Sequence, residues 1–401
     1  MWEQIRDNRV KSVILVAAMA GVLLALGYFI GLAFFGSEIA GLVIALIIWV
    51  IMSLVAYFEG DSIFLSISKA RKIERDDHPR LYIIVEEMKI ASGMERMPDI
   101  YIIDDPALNA FATGRDPTKA AIAVTSGLLQ KLNRDELQGV IGHEMAHVKN
   151  RDVLLMTMCG VLLGTIVMIS WYVTHMLFWG GMSGRRGGGG GGGQGQIILL
   201  LVGLVLMILA PILAQLIYFA ISRKREYLAD ASSAQFTRYP EGLASALEKI
   251  GGSTAQLQTA NQALAPMYIS NPFRKKGKAA SDLSSTHPPI SERVRILRSM
   301  GGATYADYNN AFASVHKGGG NAIPASALAA APGAAGLRSA SSEGPVGDPG
   351  KVERTREVND LMWRKNNYRM IDCKCGTRLK IPPKIKNALI KCPHCGTQHQ
   401  V

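Results

Sequence analysis

Four long apolar blocks constrain this chain more than any other feature: Val13 to Phe35, Ile39 to Phe58, Val153 to Trp179 and Ile197 to Ile221. At about 1.5 Å of rise per residue, each is long enough as a helix to cross a hydrocarbon layer of about 30 Å. The 48% hydrophobic content of the 401 residues is concentrated in these blocks. Four transmembrane helices are therefore expected. The first block follows Arg6, Arg9 and Lys11 as a signal peptide would, but its length and the lack of a small-residue cleavage site favour an uncleaved anchor.

Lys and Arg in short flanking segments mark the cytoplasmic side. Arg6, Arg9 and Lys11 precede the first block, and Lys69, Arg71, Lys72 and Arg75 follow the second. Lys149 and Arg151 precede the third, and Arg223, Lys224 and Arg225 follow the fourth. Only Arg185 and Arg186, in a glycine-rich loop, oppose this assignment. Both termini and the polar segments are expected in the cytoplasm. Cysteine usage agrees, because Cys373, Cys375, Cys392 and Cys395 cluster near the end of the chain, where reduced thiols favour metal over disulfides.

The expected organisation is a membrane pair over 1–58, a soluble domain over 59–316 interrupted by the spans 153–179 and 197–221, a linker over 317–350 and a small module over 351–401. Ile100 to Ile103 and Ala121 to Val124 are β-prone runs separated by a turn-rich stretch from Gly114 to Pro117. A helix is expected to start after Asn133, with Glu136 in the capping-box position and apolar residues at Leu137, Val140, Ile141 and Met145. The linker is rich in Gly, Ala, Pro and Ser and has no apolar period, a composition that leaves it without a core.

On that helix stands His143-Glu144-Met145-Ala146-His147. Histidines four apart lie on one helix face, so both imidazoles reach a single metal ion. Glu144 beside them is placed to take a proton from an attacking water and pass it to a leaving amine. A catalytic zinc needs a third protein ligand and an open position. The metzincin continuation is absent, because Asn150 and Val153 stand where glycine and histidine are required. The natural candidate is Glu226, with Asp230 one turn beyond it. The third and fourth spans form a helical hairpin, which returns its two ends to one membrane face and brings His147 and Glu226 together.

At these residues the chain resembles the HtpX-like membrane metallopeptidases, relatives of the CAAX prenyl proteases among the gluzincins. The resemblance covers most of residues 1–300. It rests on Asn109-Ala110-Phe111-Ala112-Thr113-Gly114, the His143 to His147 motif followed by Arg151-Asp152, the Glu226 to Asp230 segment and Thr286-His287-Pro288-Pro289. It implies a zincin-like α+β protease domain in a mainly α membrane protein, with His143, His147 and Glu226 as zinc ligands and Glu144 as catalytic base and acid. Asp230 would orient a ligand histidine, and Asn109, Ala110, Phe111 and Ala112 would bind substrate backbone by strand addition. His287 has two readings, a catalytic donor to the oxyanion or a structural histidine. The implied setting is the bacterial inner membrane, and the implied work is cleavage of membrane-associated or misfolded polypeptides for protein quality control. Site-specific CAAX-type processing and a non-catalytic membrane zinc scaffold are the alternatives, and the intact Glu144 argues against the scaffold.

Cys373-Lys374-Cys375-Gly376 and Cys392-Pro393-His394-Cys395-Gly396 read as a zinc ribbon, whose four thiolates close a structural site. Two Zn2+ ions are thus expected, one catalytic and one structural. Residues 351–401 hold twelve Lys or Arg against four Asp or Glu. With no basic-aromatic stripe, that charge points to anionic lipid or a protein surface ahead of nucleic acid.

Overall fold

The computed structural model describes residues 2–179, 208–212, 222–260, 265, 267–273, 287–316, 321–329, 336–341 and 349–400. Helix α1 (Trp2–Ile30) ends in a π-helical turn over Gly31–Phe35, and Gly36 at φ +65° reverses the chain into α2 (Glu38–Ile67). Ser37 caps α2 by accepting from the Ala40 amide at 3.3 Å. The two helices cross so closely that a Cβ on Gly41 would lie 2.1 Å from the Gly27 carbonyl oxygen. Helix α6 (Asp152–Trp179) joins them, and Leu155, Leu162 and Ile166 pack on Met19, Leu23 and Leu26.

Among the described residues two helices are long and apolar enough to cross a membrane, over Glu38–Ile67 and Asp152–Tyr172. This is fewer than the four expected. In α1 the described apolar stretch runs from Val16 to Ile30, where the π turn ends it. The fourth expected span lies outside the described residues except for 208–212, as does the glycine-rich loop with Arg185 and Arg186. Helix α2 leaves Ile39, Ile47, Ile51 and Leu54 exposed, an apolar face that suits a hydrocarbon surround.

The soluble part is built on a four-stranded sheet in the order β1-β2-β4-β3, with β1 Arg71–Lys72, β2 Asp99–Ile103, β3 Ala110–Gly114 and β4 Ala120–Thr125. The two expected strand runs pair parallel, Ile100 opposite Ile122, and β3 turns back antiparallel on β4. Around the sheet lie α3 (Pro79–Ser92), α4 (Ser126–Lys131), α5 (Arg134–Lys149), α7 (Ser222–Thr237), α8 (Pro240–Gly252) and α9 (Ile290–Arg298). The core between them joins Leu137, Val140, Ile141 and Met145 of α5 to Ile84, Ile122, Leu243 and Leu247.

The tail differs from a free linker. After α10 (Tyr305–Val315), Ile323 and, within the short α11 (Ala325–Ala329), Ala327 enter the protease core. Arg338 then donates to Asp135 and Gln138 at 2.8 Å, and the Ser341 hydroxyl donates to Asp135 at 2.7 Å. Small residues build no periodic core of their own, but Ile323 and Arg338 suffice to dock the segment on a core already formed. Helix α12 (Lys351–Lys365) seats Val358, Leu361 and Met362 in the same core. Two hairpins follow, β5 (Arg369–Asp372) with β6 (Arg378–Ile381), and β7 (Leu389–Lys391) with β8 (Gln398–Gln400).

Candidate metal centre

The helix that carries the His-Glu motif starts as its sequence requires. Asn133 accepts from the Glu136 amide and Glu136 accepts from the Asn133 amide, both at 2.9 Å, which closes a capping box. Helix α5 is buried along most of its length, and glycines let its neighbours approach. A Cβ on Gly139 would lie 2.6 Å from the Leu243 nitrogen, and one on Gly142 would lie 3.1 Å from Ser233 Oγ. The Ser233 hydroxyl donates to the Gly139 carbonyl at 2.7 Å and locks α7 against α5.

This packing brings the expected ligands together. His143 Nε2 and His147 Nε2 lie 3.2 Å apart, and each is 3.4 Å from an oxygen of Glu226. A tetrahedral ion bound at about 2.0–2.1 Å has ligand atoms spaced at about 3.3 Å, so the three side chains fit one metal of zinc's size. All three are buried. Glu226 Oε2 and both oxygens of Glu144 are buried without a side-chain hydrogen-bond partner among the described residues, an arrangement that fits a cation and its bound ligands.

Each ligand imidazole is held from behind by a carboxylate. Asp230 lies 3.0 Å from His143 Nδ1, and Asp152 lies 3.2 Å from His147 Nδ1. These contacts select the tautomer that leaves Nε2 facing the cluster. Burial works against charge on His147, yet Asp152 and Glu226 carry its pKa up to about 10. Carboxylates that hold a proton on this ring so firmly would hold a divalent cation in its place. Burial also opposes ionisation of Asp230, but the Arg293 guanidinium and His143 keep its carboxyl below the ordinary range. Glu144 behaves oppositely: burial raises its pKa, and the positive His143 and His147 only temper the rise.

His287 also reaches the cluster, with Nε2 at 3.6 Å from Glu226 Oε2. Burial lowers its pKa to about 4, so its ring is neutral at physiological pH. Asn109, Ala110, Phe111 and Ala112 lie at and along β3, and the Ala112 amide faces Glu144. Two residues at the centre were not assigned from the sequence. Arg293 donates to Asp230 from Nε at 2.8 Å and from Nη2 at 2.6 Å, and its Nη1 lies 3.7 Å from Glu226. Its signal was the helical face Ile290, Arg293, Val294 and Leu297, which puts an arginine at a core position. In the sequence Asp152 stands out only as the partner of Arg151 in a dipeptide after the motif. The left-handed Arg151, at φ +60°, turns the chain so that Asp152 swings back to His147.

The four cysteines form a second cluster. Cys373 and Cys395 sulfurs lie 3.4 Å apart, and Cys375 and Cys392 lie 3.7 Å apart. Tetrahedral binding at about 2.3 Å spaces sulfurs at about 3.8 Å. Gly376 at φ +83° and Gly396 at φ +76° make the two turns around the cluster. The Thr377 hydroxyl and amide pull the Cys375 thiol down to about 5, which favours the thiolate that a metal needs.

A buried helix pair presenting two imidazoles, a ligand carboxylate and a free glutamate defines a metallopeptidase of the His-Glu-x-x-His type. A family profile matches residues 76–301, and the chain belongs to peptidase family M48. It is a metalloprotease carrying helices of membrane-spanning length. A "Protease HtpX homolog" of Caldanaerobacter subterraneus subsp. tengcongensis is 43% identical over 300 residues, 75% of this chain and 98% of the relative. Another from Streptococcus uberis is 41% identical over 300 residues, 75% of this chain and all of the relative. The crystal structure of S. mikatae Ste24p is a more distant likeness, 20% identical with a TM-score of 0.39, covering 74% of this chain and 67% of that one.

Proposed function

We propose that this chain is a zinc-dependent endopeptidase of the bacterial inner membrane that cleaves membrane-associated or misfolded polypeptides at the cytoplasmic face. The observation that carries the reading is the spacing of the His143, His147 and Glu226 ligand atoms beside a buried Glu144. Relatives named as HtpX-homologous proteases, matched over nearly their whole length by 75% of this chain, support it. The membrane setting rests on α2 and α6, and the orientation rests on the Lys and Arg that flank the apolar blocks.

When bound by His143, His147 and Glu226, zinc supplies Lewis acidity toward the scissile carbonyl and the attacking water. Glu144 takes the proton of that water and gives it to the leaving amine. Its raised pKa suits a carboxylate that must both accept and release a proton. Asp230 and Asp152 keep the two ligand rings oriented, and Arg293 holds Asp230 charged. His287, neutral and beside Glu226, is a donor for the developing oxyanion. The cysteine cluster takes a second, structural zinc. Exposed Lys384, Lys386 and Lys391 give the ribbon a basic face for anionic headgroups or acidic protein segments.

The test is casein cleavage by purified enzyme and by Glu144→Gln, with zinc measured in both. Cleavage is expected to vanish with zinc retained. Unchanged cleavage by the variant would contradict the assignment of Glu144.

A further inference from the structure

The sheet edge expected to receive substrate already carries a strand of this chain. In an antiparallel strand, backbone groups of alternate residues share an edge, so Ala110 and Ala112 both face away from β4. On that outer edge the Ile269 amide donates to the Ala110 carbonyl at 2.9 Å. Tyr268 pairs antiparallel with Phe111, and their rings meet edge-on at 5.2 Å. The Asn109 carboxamide closes the pairing, donating to the Ser270 carbonyl at 2.9 Å and accepting from the Ser270 amide at 3.4 Å. A short extended segment is thus held through its backbone by the groups that would hold any extended peptide.

The segment lies against the catalytic centre. Ala112, next on the same edge, faces Glu144, and the Ile269 carbonyl accepts from Arg293 Nη1 at 3.5 Å. Glu144, His143 and Glu226 are each only 1% exposed, so a substrate carbonyl reaches them only when something covering them moves. The backbone of the Tyr268 to Ser270 segment is held by two bonds of 2.9 Å, to Ala110 and Asn109, and two near the distance limit, to the Asn109 and Arg293 side chains, a grip that another strand can match.

We infer that Tyr268 to Ser270 is a resident occupant of the substrate-strand position, and that an extended polypeptide binds by displacing it. The inference rests on the endopeptidase reading above. It also assigns a preference: Ile269 is buried in the protease core, so the incoming strand is favoured when it brings a branched apolar residue to that place.

The test uses the full-length chain in detergent, with reduced and carboxymethylated casein as the probe. In Glu144→Gln, amide hydrogen exchange over residues 267–270 is followed with and without casein. Faster exchange on adding casein is expected; unchanged or slower exchange overturns displacement and makes the segment a fixed wall. In a second arm, Ile269→Pro removes the amide that binds Ala110. Loss of one such bond to a competing strand is expected to lower the KM for casein roughly three- to tenfold while kcat is kept. A raised KM counts against the inference. Should the proline variant not fold, the exchange arm decides alone. Failure of the endopeptidase reading has a different signature, wild-type enzyme that leaves casein intact, and the exchange arm does not depend on cleavage.

Discussion

The two metal-capable clusters of this chain solve opposite problems. The His143, His147 and Glu226 cluster is buried, offers three side chains that could hold a metal and is held from behind by Asp230, Asp152 and Arg293. The cysteine cluster has four thiols, two of them exposed, on turns of two small hairpins. Three ligands leave a position for chemistry, and four close the shell. The difference also extends to what the metal does for the fold. The first cluster sits in a core that exists without it, whereas the ribbon's own core is little more than Cys373, Leu379, Ile381 and Cys392 with a few partly buried neighbours. Metal is expected to organise the second cluster and to be organised by the first.

The comparison is broken most severely by removing the charge behind the protease ligands. Arg293→Leu leaves the buried Asp230 without its guanidinium partner, only His143 and Tyr308 remaining beside it, and loss of one partner of such a buried pair destabilises by about 3–5 kcal/mol. A fall of that size in denaturant unfolding of the protease body, with the ribbon's metal retained, is expected.

A slightly smaller effect lies in pH. His78 caps α3 through Nδ1, which accepts from the Leu81 amide at 3.1 Å, and burial lowers its pKa from 6.5 to about 4. Above pH 6.5 neither the folded nor the unfolded chain protonates this ring, and its contribution to stability is complete. As pH falls from 6.5 to 4, the unfolded chain takes the proton first, so stability is lost, by at most about 3 kcal/mol. His78→Asn keeps a capping acceptor and should flatten that slope in melts across this pH range.

Asp152→Asn is expected to weaken metal binding at the protease centre about 10–100-fold, read as faster zinc loss to a chelator, because His147 loses the carboxylate that fixes its ring. The ribbon should release its metal no faster. Smallest on catalysis, Cys375→Ser should empty the ribbon and expose its hairpins to proteolysis while casein cleavage changes by less than about twofold, since no thiol belongs to the catalytic set.

Much of the first cluster was legible because its geometry is local or follows from topology. The capping box at Asn133 and Glu136 fixed the helix start, and the four-residue spacing fixed the histidine face. Glu226 required one long-range inference, that a hairpin returns its ends together. Arg293 was hidden because a lone arginine in a short helix resembles a solvated one until its neighbours are known to be core. Asp152 was hidden by a left-handed residue, Arg151, that no helical period anticipates. The docked parts of the tail were hidden for a related reason. Its composition has no period, yet Ile323, Arg338 and Ser341 find partners on the finished surface of the protease. The pairing of Tyr268 with Phe111 joins residues far apart in sequence, and nothing in either segment alone announces it.

The central claim is that two metals play two separable roles, and metal counting tests it most directly. Zinc per chain should be about two in the wild type and about one in both Glu226→Ala and Cys373→Ser, with casein cleavage lost only in the former. A Glu226→Ala protein that still holds about two zinc ions, or a Cys373→Ser protein that loses cleavage along with its metal, would contradict the account.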